Sequence, residues 1–219
     1  FTTRNPIGLH RLWGLTTEGG KDNLGTIFSF SIDSAHFVKH YDKELLRYEW
    51  GDDEDDYVEY EERFLATPVA GPDGTLYGQS DHDYNSNMFV MNKEGELTWL
   101  FPRVYIHNGN IMLASNHNIF VTTEPYLIGG GIGRSPIDEP GMTSNIRNFN
   151  QKEHGLDPSA TLIEIGEYLY GTTERGGISD GGVVYRIRHD GTGFQIIHYF
   201  DDVYGGRTPV SGLTAAEGY

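Results

Sequence analysis

The chain has 219 residues, 37% of them hydrophobic and 13% aromatic, which is enough for one sizeable core and ordinary for a compact all-β protein. With 16 Lys plus Arg against 32 Asp plus Glu, its formal charge of -16 repels nucleic-acid phosphates and anionic membrane surfaces and excludes nucleic acid as the expected partner. The absence of cysteine excludes a disulfide framework and thiolate chemistry, and no apolar run reaches the roughly 18 residues that a membrane-spanning helix needs.

In chain order the first unit opens with a lead-in, Asn5-Pro6-Ile7-Gly8-Leu9. It continues with Leu12-Trp13-Gly14-Leu15-Thr16-Thr17-Glu18-Gly19-Gly20, Gly25-Thr26-Ile27-Phe28-Ser29-Phe30 and Phe37-Val38-Lys39-His40-Tyr41. An acidic run, Asp52-Asp53-Glu54-Asp55-Asp56 with Glu59, Glu61 and Glu62 beyond it, reads as a solvated loop between the first and second units, with calcium bridging as the alternative. The second unit has the lead-in Thr67-Pro68-Val69-Ala70-Gly71, then Leu76-Tyr77-Gly78-Gln79-Ser80, Met88-Phe89-Val90-Met91 and Leu97-Thr98-Trp99-Leu100-Phe101.

A third, eroded unit is expected from a lead-in around 104–107, followed by Ile111-Met112-Leu113-Ala114-Ser115 and Ile119-Phe120-Val121-Thr122-Thr123. The stretch 124–157 then reads as a long loop standing in for the outer part of that unit. The fourth unit repeats the first closely: Asp157-Pro158-Ser159-Ala160-Thr161-Leu162, Leu169-Tyr170-Gly171-Thr172-Thr173-Glu174-Arg175-Gly176-Gly177, Val183-Val184-Tyr185-Arg186-Ile187 and Phe194-Gln195-Ile196-Ile197-His198-Tyr199-Phe200. A final lead-in, Thr208-Pro209-Val210-Ser211-Gly212-Leu213, follows.

The runs are short, rich in Val, Ile, Thr, Tyr and Phe, and separated by Gly-Gly, Asp-Gly and Asn-Gly pairs that favour tight turns. Four-stranded antiparallel units repeating every 40 to 50 residues or so are the blades of a β-propeller. The expected fold is therefore all-β: a propeller with about four blades, at 5–42, 65–101, 102–157 (irregular) and 158–200, and a first strand of another at 208–219. In each blade the proline lead-in would be the inner strand, the Leu-Tyr-Gly segment the second, the Gly-Thr-Ile-Phe segment the third, and the His-Tyr segment the outermost.

The pattern Leu-Tyr-Gly-Thr-Thr, a Gly-Gly turn, Gly-x-Val-Tyr and a closing His-Tyr-Phe resembles the GloVer tandem repeat. The match is specific over 169–219 and 5–42, loose over 65–101 and poor over 102–157. The resemblance implies a β-propeller in a secreted or surface-anchored bacterial protein, and it carries no catalytic residues. Phe1 in place of an initiator Met implies an upstream segment, and the unmatched lead-in at 208–213 implies an open edge completed by another chain or by more of the same protein.

Repeated positions are explained by the scaffold. His40 and His198 are thus expected at equivalent places in the outer strands, and Trp13, Tyr77 and Tyr170 between blades. Chemistry is sought where the repeat breaks. Asp81, Asp83, Asn85 and Asn87 place oxygen donors at alternate positions, as in the first half of a calcium loop, but the glycine of its sharp turn and its bidentate carboxylate are missing, so a solvated Asx-rich turn is the stronger reading. Around 124–157 the set His107, His117, Tyr105, Tyr126, Arg134, Arg147 and His154 offers the base, acid and cation that a polysaccharide lyase needs on a uronate substrate. Two functions follow: a non-enzymatic secreted propeller binding a carbohydrate or protein, with no cofactor or with calcium, and a lyase or hydrolase acting on an acidic polysaccharide.

Overall fold

The computed structural model describes residues 11–42, 46–49, 57–60, 63–64, 67–81, 87–100, 110–123, 130–140, 144–149, 152–158, 160–201 and 205–216. The expected lead-ins at 5–9 and 104–107 lie outside these residues. All strand pairs are antiparallel, and the chain divides into two compact units, Phe1–Leu100 and Phe101–Tyr219.

In the first unit, β1 (Arg11–Leu15), β2 (Thr26–Ser31) and β3 (His36–Asp42) form a meander in that order. Next, β4 (Leu46–Glu49) pairs with β5 (Tyr57–Tyr60), so Glu59 stands in a strand, while Asp52 to Asp56, Glu61 and Glu62 lie outside the described residues. The second sheet contains β6 (Arg63–Phe64), β7 (Val69–Ala70), β8 (Leu76–Asp81), β9 (Asn87–Met91) and β10 (Leu97–Leu100). Here β6 and β7 share one edge of β8, with Phe64 opposite Ser80 and Val69 opposite Tyr77. The expected inner strand is present at Val69–Ala70, but it is only half of that edge.

In the second unit, β11 (Ile111–Leu113), β12 (Asn118–Thr123), β13 (Gly131–Pro136) and β14 (Ser144–Asn148) form one sheet in sequence order. A second comprises β15 (Ile163–Ile165), β16 (Tyr168–Thr173), β17 (Val183–Arg188) and β18 (Gln195–Tyr199). Two expectations are corrected. Ile111–Leu113 is the innermost strand, one place earlier than expected, and 124–157 contains the two outer strands of a complete blade in place of a long loop. The Asp157-to-Leu162 lead-in is not itself a strand; the inner strand begins just after it, at Ile163.

A contact between a glycine and a ring explains both the repeat and its erosion. Gly14 lies opposite Phe28, Gly78 opposite Phe89, and Gly171 opposite Tyr185, the pairs joining β1 to β2, β8 to β9 and β16 to β17. A Cβ on these glycines would come within 2.5 Å of Phe28 Cζ, 2.2 Å of Phe89 Cζ and 2.5 Å of the Tyr185 hydroxyl, because the ring lies across the glycine. In the third sheet the pair is reversed: Val121 occupies the second strand and Gly133 the third. The one-large, one-small rule is kept, but the Leu-Tyr-Gly signature disappears and the third strand reads as a glycine-rich loop.

A second glycine opens each of β2, β13 and β17. Gly25, Gly130 and Gly182 have φ of 103°, 74° and 94°, and a Cβ there would meet the carbonyl oxygens of Thr16, Thr123 and Thr173 at 2.0, 2.3 and 2.2 Å. Only glycine suits that conformation and that approach. The lead-in prolines sit against it: Pro158 Cδ would be 2.6 Å from a Cβ on Gly130, and Pro209 Cδ 2.9 Å from one on Gly182.

In three of the sheets one residue of the outer strand is bulged at the same place, opposite Ile27/Phe28, Ile132/Gly133 and Val184/Tyr185, while β10 pairs with β9 in unbroken register. Ile27 pairs with Tyr41, Ile132 with Arg147, and Val184 with His198, which makes Tyr41, Arg147 and His198 equivalent. The expected match of His40 to His198 is therefore wrong by one residue. His40 falls in the bulge, at the place of Ile146 and Ile197, because an extra residue on one strand changes which neighbours stand opposite.

Within each unit the sheets pack face to face in one sense. Trp13, Leu15, Ile27 and Tyr41 of the first sheet pack on Phe64, Leu76, Phe89 and Met91 of the second. In the other unit, Met112, Phe120, Ile132 and Ile146 of β11–β14 pack on Leu162, Leu169, Tyr185 and Ile187. Trp13 and Phe120 are register equivalents, as are Ile27 and Ile132, so the same positions supply the donating face each time. Each large side chain fully buried in this way contributes about 1.5–3 kcal/mol.

Gly171→Ala should destabilise the protein by about 1–3 kcal/mol through overpacking against the Tyr185 ring and Leu162. Gly133→Ala, whose Cβ would find nothing nearer than 4.0 Å, should change stability far less. Urea unfolding of both variants is the check, and equal losses would remove the ring-over-glycine account.

Candidate functional site

The seam between β11–β14 and β15–β18 gathers the largest set of polar side chains singled out from the sequence. Arg147 leaves β14 just beside its bulge, and His154 follows on the short 3-10 turn Lys152–His154. Arg147 Nη2 lies 3.2 Å from His154 Nδ1, a hydrogen bond in which the guanidinium donates. The guanidinium carbon stands 3.7 Å from the centre of the Phe194 ring, and the His154 ring meets Phe194 edge-on at 5.9 Å. Burial lowers the Arg147 pKa from its ordinary value, and Arg147 Nε is buried without a hydrogen-bond partner.

Tyr185 lies beneath this pair, its ring 4.9 Å from Phe149 and 5.8 Å from Phe194. Its hydroxyl is fully buried without a partner. Burial pushes the phenol well above the ordinary tyrosine range, an effect that the nearby Arg147 charge only partly offsets.

The other members of the expected set do not join this pair among the described residues. Arg134 reaches the backbone oxygen of His189 at 3.4 Å, and His117 occupies the exposed β11–β12 turn with φ of 59°. His107, Tyr105 and Tyr126 lie outside the described residues. So do Asp83 and Asn85, and nothing is described of the side chains of Asp81 and Asn87.

Sequence reasoning missed a second polar cluster at the same seam. Ser115 donates from its backbone N to Glu164 Oε2 at 2.9 Å and from its hydroxyl to Glu164 Oε1 at 2.7 Å, while His189 Nε2 lies 3.0 Å from Glu164 Oε1. The alternation Ile163-Glu164-Ile165 on an inner strand was the available signal, because it turns Glu164 to the face opposite the two isoleucines. The serine binds the carboxylate and not the imidazole, so the cluster ties a turn to a strand and does not activate a nucleophile.

In the first unit a cleft of about 280 Å³ is lined by Trp13, Gly14, Leu15, Thr17, Phe64, Thr67 and Pro68. The Trp13 ring lies 4.5 Å from that of His40, whose Nε2 is 2.8 Å from the Ser29 hydroxyl. Burial, and secondarily the charge of Arg11, lowers the His40 pKa and favours the neutral ring.

No family model matches the chain, and no curated protein matches it. Among solved structures it is similar to TolB from Acinetobacter baumannii, with a TM-score of 0.50 and 15% identity over 85% of this chain. The chain spans 39% of the length of that TolB chain. Together with the repeated antiparallel sheets, this likeness shows the β-propeller fold. No helix among the described residues is long and apolar enough to cross a membrane.

Tyr185→Phe removes a hydroxyl that is buried without a partner, so it should leave stability unchanged or raise it by up to about 1 kcal/mol at neutral pH. Unfolding returns the native phenol to its ordinary value of 10.0, so the unfolded chain releases a proton that the native chain keeps. The contribution is complete below that pH and is lost as pH rises from there toward the raised native value. Denaturation across the alkaline range should show a shallower fall for the variant, and a loss of several kcal/mol at neutral pH would mean that the hydroxyl has a partner.

Proposed function

We propose that this chain is a secreted or cell-surface β-propeller module that binds a protein or carbohydrate partner without transforming it. The supporting observation is the outward face of β1–β3. Leu12 is 54% exposed and Phe37 57% exposed, and Phe28 stacks on Phe37 at 5.4 Å. Register places these residues, with Phe30, at the positions that Leu169, Tyr185, Ile187 and Phe194 hold in the β15–β18 sheet. There Leu169, Tyr185 and Ile187 are wholly buried by the neighbouring sheet. An uncovered cluster of large apolar side chains of this kind marks an interaction surface, and its rings suit either a sugar face or apolar protein side chains.

Among the described residues the lyase alternative draws support only from the Arg147–His154 contact, and the guanidinium there is already stacked on Phe194. The formal charge of -16 also disfavours a polyanionic substrate.

Two assays separate the readings. A solvatochromic apolar dye should bind the folded protein and lose most of its signal on Leu12→Asp with Phe37→Asp. Uronate polymers incubated with the protein should give no unsaturated product by ultraviolet absorbance. Product that depends on Arg147 and His154 would replace the binding reading with the lyase.

A further inference from the structure

The β15–β18 sheet carries, on its outward side, the same set of side chains that the preceding sheet uses to dock it. In β11–β14 the docking face consists of Met112, Phe120, Thr122, Ile132 and Arg134. Register places Ile163, Tyr170, Thr172, Val184 and Arg186 at the same five positions of the last sheet. Two of these have specific polar targets in the docked pair: Thr122 Oγ1 donates to the Ala160 backbone oxygen at 3.2 Å, and Arg134 reaches the His189 backbone oxygen at 3.4 Å.

On the last sheet the counterpart of Ala160 is Ser211 of the chain's own lead-in, whereas the backbone acceptor that Arg134 finds at His189 has no counterpart. Thr172 is 2% exposed, yet its hydroxyl has no hydrogen-bond partner. Arg186 bonds back to Gln195 Oε1 of its own sheet, at 3.1 and 2.7 Å. The strap that guides a following blade is nevertheless in place. Thr208 has φ of 55° before Pro209, as Asp157 has φ of 60° before Pro158, and each proline rests against the glycine that opens the preceding third strand. Phe200 N donates to the Gly182 carbonyl, as Phe149 N does to that of Gly130.

The matching receiver is the exposed face of β1–β3. Its Phe28–Phe37 stack, at 5.4 Å and 27°, reproduces the Tyr185–Phe194 pair of the docked sheet, at 5.8 Å and 34°. We propose that the donating face of β15–β18 in one copy docks on the receiving face of β1–β3 in a second copy, head to tail. This contact repeats the one that already joins β11–β14 to β15–β18, and in it Arg186 gains the kind of backbone acceptor that Arg134 finds at His189. The proposal rests on the reading of the chain as a binding module and names its partner. Because the two faces differ, the contact is heterologous and propagates as a ring or an open array.

Sedimentation velocity of the whole chain over a wide concentration range is the test. The mass should rise with concentration for the wild type. Phe37→Asp, which damages only the receiver, and Tyr170→Asp, which damages only the donor, should each stay at one copy. An equimolar mixture of the two should form a capped two-copy species, since one intact donor and one intact receiver remain. Arg186→Glu, an exchange on a partly exposed side chain, provides a donor variant that keeps the fold if Tyr170→Asp does not. A wild type fixed at the one-copy mass at every concentration would overturn the proposal, as would two folded variants that fail to associate when mixed. If dye binding to the Leu12–Phe37 face survives such a failure, the binding-module reading stands and only the partner is wrong.

Discussion

An aromatic ring laid across a glycine of the adjacent strand is the contact on which these sheets depend. The ring can reach the space between sheets only if its neighbour has no side chain, and once there it fills that space against the preceding sheet. The Gly171–Tyr185 pair shows the consequence most fully: the ring covers the glycine, shares a core cluster with Leu162, and meets Phe194 of its own sheet and Phe149 from across the seam. Strand pairing and sheet-to-sheet packing are therefore one constraint. Arg147 follows from it, since its guanidinium closes the outer end of the same aromatic group by lying over Phe194.

The chain meets this constraint in two ways. Three sheets place glycine on one strand and the ring on the strand that follows it, whereas the β11–β14 sheet places Val121 on the earlier strand and Gly133 on the later one. This inversion explains why fold and sequence signature part company there. The all-β class, the blade-like units and the strands of the first and fourth repeats were legible, because Leu-Trp-Gly and Leu-Tyr-Gly record the requirement directly. The outer strands of the third sheet were not legible: Gly131 and Gly133 resemble loop residues until their partners are known, and a Cβ on Gly131 would stand 2.9 Å from the Arg147 carbonyl. The offset between His40 and His198 was hidden for a related reason, since a bulge leaves the spacing of the letters intact while changing the residue that stands opposite.

The candidate site was less legible than the fold. Arg147 and His154 were singled out by residue type and do meet, but what brings them together is a bulge and a 3-10 turn that residue type does not encode. Glu164 and His189 escaped notice because each looks like an ordinary strand or turn residue, and only the docking of one sheet on another brings Ser115 to them. The exposed face of β1–β3 could not be found from sequence at all. Its residues are the same types that are buried in β15–β18, and the difference lies in whether a sheet covers them.

The most direct test of the central claim is a double-mutant cycle that transplants the inverted arrangement into the fourth sheet, with Gly171→Val, Tyr185→Gly and the double variant compared by urea unfolding. Gly171→Val alone forces a side chain into the ring, and Tyr185→Gly alone leaves a cavity, whereas the pair recreates the Val121–Gly133 geometry. The account predicts that the double variant is more stable than the sum of the single losses implies, by at least about 1 kcal/mol. Strictly additive losses would contradict it.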